Sequence, residues 1–233
     1  MANIPHRNST LNTKNIISNE MQLTCVQLKL KHKRTATQNL VRIMSEDKKA
    51  ITFVQEPYTQ LNNVAGFPKH LKVFTHGNNR KRAAVIVNNN DIDAIVISQL
   101  SDEDCIVIEF TYKNVTFYGA SMYCDSDQEI GDDIEKMEKI ITHSKGKGLI
   151  ISADTNARSK LWFDKLTNAR GKAMEEFLVT SNLHLMNMAT DTPTLFPSPL
   201  TFQVATFDLL IIPNRLSLTC RCRRLVNPSS STL

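Results

Sequence analysis

Between Leu71 and Tyr123 the chain consists of short apolar runs that are rich in β-branched residues and separated by polar turns. Their sequences are LKVFT, AAVIVNN, AIVISQL, CIVIEFTY and VTFYGASMY. Runs of this length and composition are typical of β-strands, and the connections NNND and YKNV favour hairpin turns. So many consecutive strands exclude an all-helical fold and predict a core that is built on β-sheet.

Strands and helices also alternate on both sides of this region. Further strands are predicted in QLTCVQLKL (22–30), AITFVQEPY (50–58), GLIISAD (148–154), HLMNM, PTLF and VATFDLLIIP. Apolar residues at helical spacing predict helices over 35–47, 126–145 and 168–182. The expected N-caps are Thr35 or Thr37, Ser126 or Asp127, and Asn168. This order predicts an α+β fold in which two mainly antiparallel sheets pack face to face, with helices outside.

The bulk composition is that of a globular protein, because hydrophobic residues make up 41% of the 233. Residues 21–233 are expected to form one domain after a disordered polar leader over residues 1–20. The net charge of +5 is compatible with a polyanionic partner. No apolar run is long enough to cross a membrane, and no signal-peptide pattern is present. The five cysteines include no CxxC pair, which favours reduced thiols and a nuclear or cytoplasmic location.

Acidic and polar side chains stand at the ends of several predicted strands. Glu56 and Asp154 each end a run, Asn156 follows two residues on, Asp208 lies inside VATFDLLIIP, and Tyr123 ends VTFYGASMY. If the sheets pack so that these ends meet, three carboxylates converge and require a cation, because like charges repel. Oxygen ligands favour Mg²⁺ or Mn²⁺, and such a site suits hydrolysis of phosphate esters. Each residue also has a simpler interpretation as a turn, loop or core side chain.

A set of motifs follows the order seen in the endonuclease/exonuclease/phosphatase family, which has the DNase I-like fold. These motifs are QEPY, YGASMY, SADTNARSKLW, NARGKAMEEFLVTSNLHLMN, PTLF and FDLLII. More narrowly, residues 22–233 resemble the apurinic-type endonuclease domains of insect non-LTR retrotransposons of the R1 and TRAS type. The resemblance implies a four-layer αββα sandwich that cleaves DNA phosphodiesters with a divalent metal. In these elements the nick primes reverse transcription, so it also implies a reverse transcriptase domain in a longer polyprotein; the domain itself is expected to be a monomer.

The resemblance also implies a role for individual residues. The implied catalytic positions are Tyr123, Asp154, Asn156 and Asp208. The aspartate of the DxN pair activates water, its asparagine and the tyrosine contact the phosphate, and the last aspartate orients a histidine. Glu56 matches the metal-binding glutamate, and Lys29 and Arg158 are expected to contact the substrate.

Two departures from the family pattern predict impaired activity. The family's first strand reads QxNL, whereas QLKL here places Lys29 at the asparagine position. A lysine there either pairs with Glu56 and partly replaces the cation, or blocks the metal. The family's Ser-Asp-His motif would begin about where this chain reads PSSSTL, and none of the six histidines stands in that context. The last strand and the partner of Asp208 are therefore predicted to be missing.

Two other functions stay open at this point. A phosphatase or phosphodiesterase of the same superfamily would use the same site with different loops. A non-catalytic nucleic-acid-binding remnant would keep the fold without the chemistry. The basic segments KHKR (31–34) and NNRKR (78–82) mildly favour DNA as the partner, since lysine and arginine bind the phosphate backbone.

Overall fold

The computed structural model describes residues 21–46, 50–181, 183–185 and 216–220. Its strands are β1 (Met21–Lys29), β2 (Ala50–Gln55), β3 (Thr59–Gln60), β4 (Asn63–Val64), β5 (Lys72–Phe74), β6 (Ala83–Val87), β7 (Ile92–Val96), β8 (Cys105–Tyr112), β9 (Val115–Tyr123), β10 (Gly148–Asp154) and β11 (Leu216–Cys220). Its α-helices are α1 (Arg34–Glu46), α2 (Ile130–His143) and α3 (Ala169–Thr180). Among these helices none is long and apolar enough to span a membrane.

The strands form two mixed sheets and one small hairpin. The first sheet has the order β11-β1-β2-β6-β5, the second has the order β10-β9-β8-β7, and β3 pairs with β4 alone. β1 runs parallel to both of its neighbours, and β9 runs parallel to β10. The other pairings are antiparallel. The parallel pairs matter for the site, because they bring the carboxyl ends of neighbouring strands to one edge.

The two sheets pack face to face over a buried apolar layer. That layer includes Leu23, Ile51, Phe53, Ile106, Ile108, Phe110, Phe117 and Ile150. Helix α1 covers the outer face of the first sheet through Leu40 and Met44. Helices α2 and α3 cover the second sheet, with Met137, Met174 and Phe177 pointing inward. The order helix, sheet, sheet, helix confirms the four-layer αββα arrangement.

Strand boundaries agree closely with the sequence pattern where a run is bounded by turn residues. β8, β9 and β10 coincide with the predicted runs, and the YKNV hairpin is formed with positive φ at Lys113 and Asn114. The NNND connection is not a hairpin, because it links β6 of the first sheet to β7 of the second. The segment Leu216–Cys220 was not predicted as a strand and forms β11 beside β1. The strands predicted after residue 185 lie outside the described residues.

Helix starts were predicted less well. Helix α1 begins at Arg34, so neither predicted threonine is its cap; Thr37 instead donates its hydroxyl to the Lys33 carbonyl at 3.3 Å. The N-cap of α2 is Glu129, without a side-chain cap bond. The acidic first turn of α2 complements the helix dipole and stabilises this start. Asn168 is confirmed as the cap of α3, since its side-chain oxygen accepts from the Gly171 amide at 2.8 Å.

The described cysteines agree with the prediction of reduced, buried thiols. Cys25, Cys105 and Cys124 are all buried, and Cys105 and Cys124 are free thiols. Burial raises the pKa of the Cys124 thiol well above its ordinary value, so this thiol stays protonated at neutral pH.

Candidate active site at the strand ends

The carboxyl ends of β1, β2, β9 and β10 meet on one rim of the sandwich. In the parallel pairing of β1 with β2, Lys29 lies opposite Gln55, the residue before Glu56. In the parallel pairing of β9 with β10, Tyr123 lies opposite Asp154. A contact between Lys29 and Asp154 then joins the two sheets. The structure therefore brings Lys29, Glu56, Tyr123 and Asp154, which are far apart in sequence, into one cluster at this rim, which we call the pocket.

Lys29 lies between the two acidic side chains of this pocket. Its Nζ is 2.6 Å from Asp154 Oδ2 and 3.5 Å from Glu56 Oε2. Asp154 is 0% exposed, and apart from this ion pair its Oδ2 has no hydrogen-bond partner among the described residues. The His32 ring approaches the other oxygen of Glu56 at 3.9 Å. The lysine ammonium is thus the cation that the two carboxylates share.

Burial and pairing act in opposite directions on these charges. Burial disfavours the charged form of Lys29, but the Asp154 and Glu56 carboxylates outweigh it, so the pKa of Lys29 is raised. Burial also raises the pKa of Asp154, and the attraction of Lys29 only partly offsets this. The lysine therefore stays protonated at neutral pH, and the carboxylate depends on it for compensation.

Two predicted site residues have a left-handed backbone. Glu56 has φ +48° and Asn156 has φ +47°. Residues other than glycine adopt positive φ values infrequently. The Glu56 amide donates to the Arg82 carbonyl at 2.8 Å, and the Asn156 side-chain amide donates to the Cys124 carbonyl at 2.9 Å. Local backbone strain of this kind accumulates at functional sites, where surrounding contacts hold it.

Arg82 also contacts the ring of Tyr123. Its guanidinium hydrogen-bonds both carboxylate oxygens of Asp104 and one of Asp125, and its Cζ lies 4.9 Å from the centre of the Tyr123 ring. Burial and, after it, the Glu56 carboxylate raise the pKa of Tyr123. The phenol is therefore a hydrogen-bond donor at neutral pH. The sequence predicted that Arg82, in the basic segment 78–82, favours contact with DNA. In the structure its guanidinium is bound to two aspartates instead.

A buried polar chain behind the pocket was missed by the sequence analysis. The Gln27 side-chain amide donates to Gln55 Oε1 at 3.1 Å. Gln55 in turn donates to Ser121 Oγ and to the Ser152 carbonyl, each at 3.0 Å. These bonds cross from the first sheet to the second and fix the strands that carry Glu56 and Asp154. The available signal was a glutamine on an otherwise apolar strand face, because such a group must find a partner when buried.

The remaining predicted residues have different positions. Arg158 forms a bidentate ion pair with Asp164 in the loop after β10, with both hydrogen bonds 3.0 Å long. Its guanidinium is therefore engaged within that loop. Asp208 lies outside the described residues. The roles predicted for Glu56, Tyr123, Asp154 and Asn156 stay predictions, although these residues lie together or close to the pocket.

A divalent metal does not fit between Glu56 and Asp154 while Lys29 is in place. The position that a metal would take between the carboxylates is filled by an ammonium that contacts both. A second cation beside it would meet strong repulsion in a poorly solvated site. Among the described residues, no group of three or more His, Cys, Asp or Glu side chains has the arrangement of a metal site.

Comparison with known proteins agrees with the fold. The sequence profile of the endonuclease-reverse transcriptase family matches residues 117–231. The endonuclease domain of TRAS1, a telomere-specific non-LTR retrotransposon, superimposes with a TM-score of 0.65 and 27% identity, covering 78% of this chain and 81% of that one. The molecule is therefore a domain of the DNase I-like class.

Two curated relatives come from R1 retrotransposable elements. The chain is 23% identical over 171 residues to a 115 kDa protein of the type-1 element R1DM of Drosophila melanogaster, covering 69% of this chain. It is 25% identical over 135 residues to the Pol polyprotein of the type-1 element R1 of Bradysia coprophila, covering 53% of this chain. It spans only 16% and 13% of the lengths of these proteins. The profile match, the R1 relatives and the TRAS1 structure together support an endonuclease/exonuclease/phosphatase-type domain that is similar to the endonuclease domains of non-LTR retrotransposons.

Proposed function

We propose that this domain binds DNA across the Lys29–Glu56–Asp154 pocket, as part of a retrotransposon polyprotein, and that Lys29 suppresses its metal-dependent nicking. One observation carries the proposal: the ammonium of Lys29 contacts both carboxylates that would otherwise serve the reaction. Members of the family generally use divalent metals, but here the positive charge is already supplied by the chain. The Lys29 ammonium supplies one unit of positive charge where a divalent metal would supply two.

The surroundings of Glu56 support DNA as the partner. The turn between β1 and α1 carries the exposed residues Lys31 and Lys33, and the exposed Arg34 begins α1. His32 anchors this turn to the pocket, because its Nδ1 lies 3.0 Å from the Pro57 carbonyl and its backbone amide donates to the Glu56 carbonyl at 2.8 Å. Exposed basic residues beside the pocket attract the phosphate backbone and make binding depend on salt.

The pocket side chains support binding better than hydrolysis. The protonated phenol of Tyr123 is suited to donate to a phosphate oxygen. Asp154 would have to accept a proton from water to act as a base, and its Oδ2 is paired with the Lys29 ammonium at 2.6 Å. The amide of Asn156 already donates to the Cys124 carbonyl. This arrangement favours a DNA-binding domain with little turnover over an efficient nuclease.

A plasmid-nicking assay in Mg²⁺ tests this directly. We expect the wild-type chain to nick supercoiled plasmid no faster than Asp154→Ala, while both bind duplex DNA with an affinity that falls steeply as salt rises. The wild-type chain and Asp154→Ala are compared at equal concentrations of folded protein, which circular dichroism measures. Robust nicking that Asp154→Ala abolishes would contradict the suppression by Lys29. Absence of salt-dependent binding would contradict the DNA-binding role itself.

A further inference from the structure

The loop between β10 and α3 exposes an apolar patch beside two lysines. Leu161, Phe163 and Leu166 are all exposed, although they lie within six residues of one another. Lys160 and Lys165 stand in the same stretch and are exposed as well. We call these five residues the 160–166 patch. Large apolar side chains this close together on a surface are a frequent mark of a binding site.

Phe163 is the most unusual member of the patch. Its backbone is left-handed, with φ +67° and ψ +24°, and 56% of its surface is exposed. A bulky aromatic residue is strongly disfavoured in this region, where glycine is the natural choice. Its ring gains little from packing at that exposure, so the fold itself does not account for a phenylalanine here. Strain of this kind points to a role outside folding.

The patch stands on a rigid support. Trp162 is buried and donates its indole N–H to the Ala157 carbonyl at 3.2 Å. The Ser159 hydroxyl accepts from the Leu161 amide at 2.8 Å, and Arg158 is bound to Asp164 through two bonds. A surface that is held in one conformation before binding loses less entropy when a partner arrives.

The charge of the patch indicates the chemistry of the partner. Asp164, the acid of this stretch, is buried and paired with Arg158, whereas both lysines face solvent. The outward-facing charge is therefore positive. An exposed aromatic ring between lysines is the combination that proteins use for single-stranded nucleic acids, where bases stack on the ring and phosphates lie against the basic groups. Bases in an intact duplex are already stacked, so unpaired bases are the better match.

We propose that Phe163 stacks on an unpaired base of a nucleic-acid strand whose phosphates contact Lys160 and Lys165. The inference rests on the proposed DNA-binding function and adds a second contact to it. Phe163 follows Asn156 by seven residues, so the two are at most about 25 Å apart. At a spacing of about 3.4 Å per nucleotide, this upper limit spans about seven nucleotides of one strand. The patch would then hold unpaired bases next to the phosphodiester at the pocket.

Replacing Phe163 by glycine separates this role from a structural one. Glycine adopts φ +67° without strain, so we expect the melting temperature of Phe163→Gly to equal or exceed that of the wild type. Binding to a short fluorescent oligothymidylate in EDTA should weaken by roughly tenfold or more, because one stacked base is lost. Its salt dependence should not change, since no phosphate contact is removed. Phe163→Trp should keep the affinity.

Two controls make the outcome specific. Val179 is 83% exposed on α3, and Val179→Ala should bind like the wild type. Heparin has no bases, so its affinity should be the same for Phe163→Gly and the wild type. Unchanged oligothymidylate affinity in Phe163→Gly, or an equal loss with heparin, overturns the stacking role while leaving DNA binding at the pocket intact. A wild-type chain with no salt-dependent binding to either oligothymidylate or duplex DNA overturns both proposals.

Discussion

Replacing Lys29 by methionine is expected to lower the free energy of unfolding at pH 7 by about 3 kcal/mol. Methionine keeps most of the volume of the side chain and removes the charge. It leaves the fully buried Asp154 carboxylate without the ammonium that lies 2.6 Å from its Oδ2. Removal of one partner from a buried ion pair is costly, because the other charge is left in a poorly solvated site. Urea unfolding followed by circular dichroism measures the change.

The matched control is the ion pair between Lys139 and Glu135 on α2. The Nζ of Lys139 and the Oε1 of Glu135 are 2.7 Å apart but both side chains are well exposed, so Lys139→Met should change stability by no more than about 0.5 kcal/mol.

The loss of stability in Lys29→Met should also depend on pH. Burial already raises the pKa of Asp154, and loss of Lys29 raises it further. The folded variant then takes up a proton at a higher pH than the unfolded chain, so the deficit shrinks as the pH falls through that raised pKa. If Lys29→Met and Lys139→Met lowered the free energy of unfolding equally, Lys29 would not be the partner on which the buried Asp154 depends.

The second large effect is expected at Gly171, in the first turn of α3. A Cβ atom there would lie 1.8 Å from the Arg158 carbonyl oxygen and 2.7 Å from its carbon. That carbonyl also accepts from the Asn168 amide at 3.0 Å, so neither the helix nor the loop can shift without breaking this contact. Gly171→Ala should therefore destabilise the protein by about 3 kcal/mol.

Gly131 on α2 provides the comparison for this substitution. No atom lies within 4 Å of the Cβ that an alanine would add there, and the residue has ordinary helical φ. Gly131→Ala should stabilise the protein, by up to about 1 kcal/mol, because alanine restricts the unfolded chain and favours helix. If both alanine variants had the same stability, the close approach of α3 to the loop after β10 would be wrong.

Local sequence patterns were sufficient for elements whose boundaries are marked locally. β8, β9 and β10 were predicted to the residue, since each is a β-branched run between turn residues. The NNND segment shows the limit of this reasoning. Its residues favour a turn and do form one. Local turn chemistry does not determine, however, whether the next strand pairs in the same sheet. Here the chain crosses to the second sheet.

The site was predictable in kind but not in its detailed contacts. The sequence indicated that Lys29 departs from the family pattern and named Glu56 as a partner. The shorter contact, with Asp154, depends on how two sheets pack, over a separation of more than a hundred residues. The hydrogen bonds from Gln27 through Gln55 to Ser152, and the contact of Arg82 with Tyr123, likewise depend on tertiary packing. Side chains that meet across sheets leave little periodic signal in the sequence, because their spacing is set by tertiary packing.

The most direct test of Lys29 as the internal cation is a calorimetric titration with Mn²⁺ in metal-free buffer. The wild-type chain is expected to give no heat beyond dilution, whereas Lys29→Asn should bind one ion, and Asp154→Ala added to Lys29→Asn should abolish that binding. Asparagine is the neutral residue that the family carries at this position, so it frees both carboxylates for the metal. Stoichiometric Mn²⁺ binding by the wild-type chain that is lost in Asp154→Ala would contradict the account.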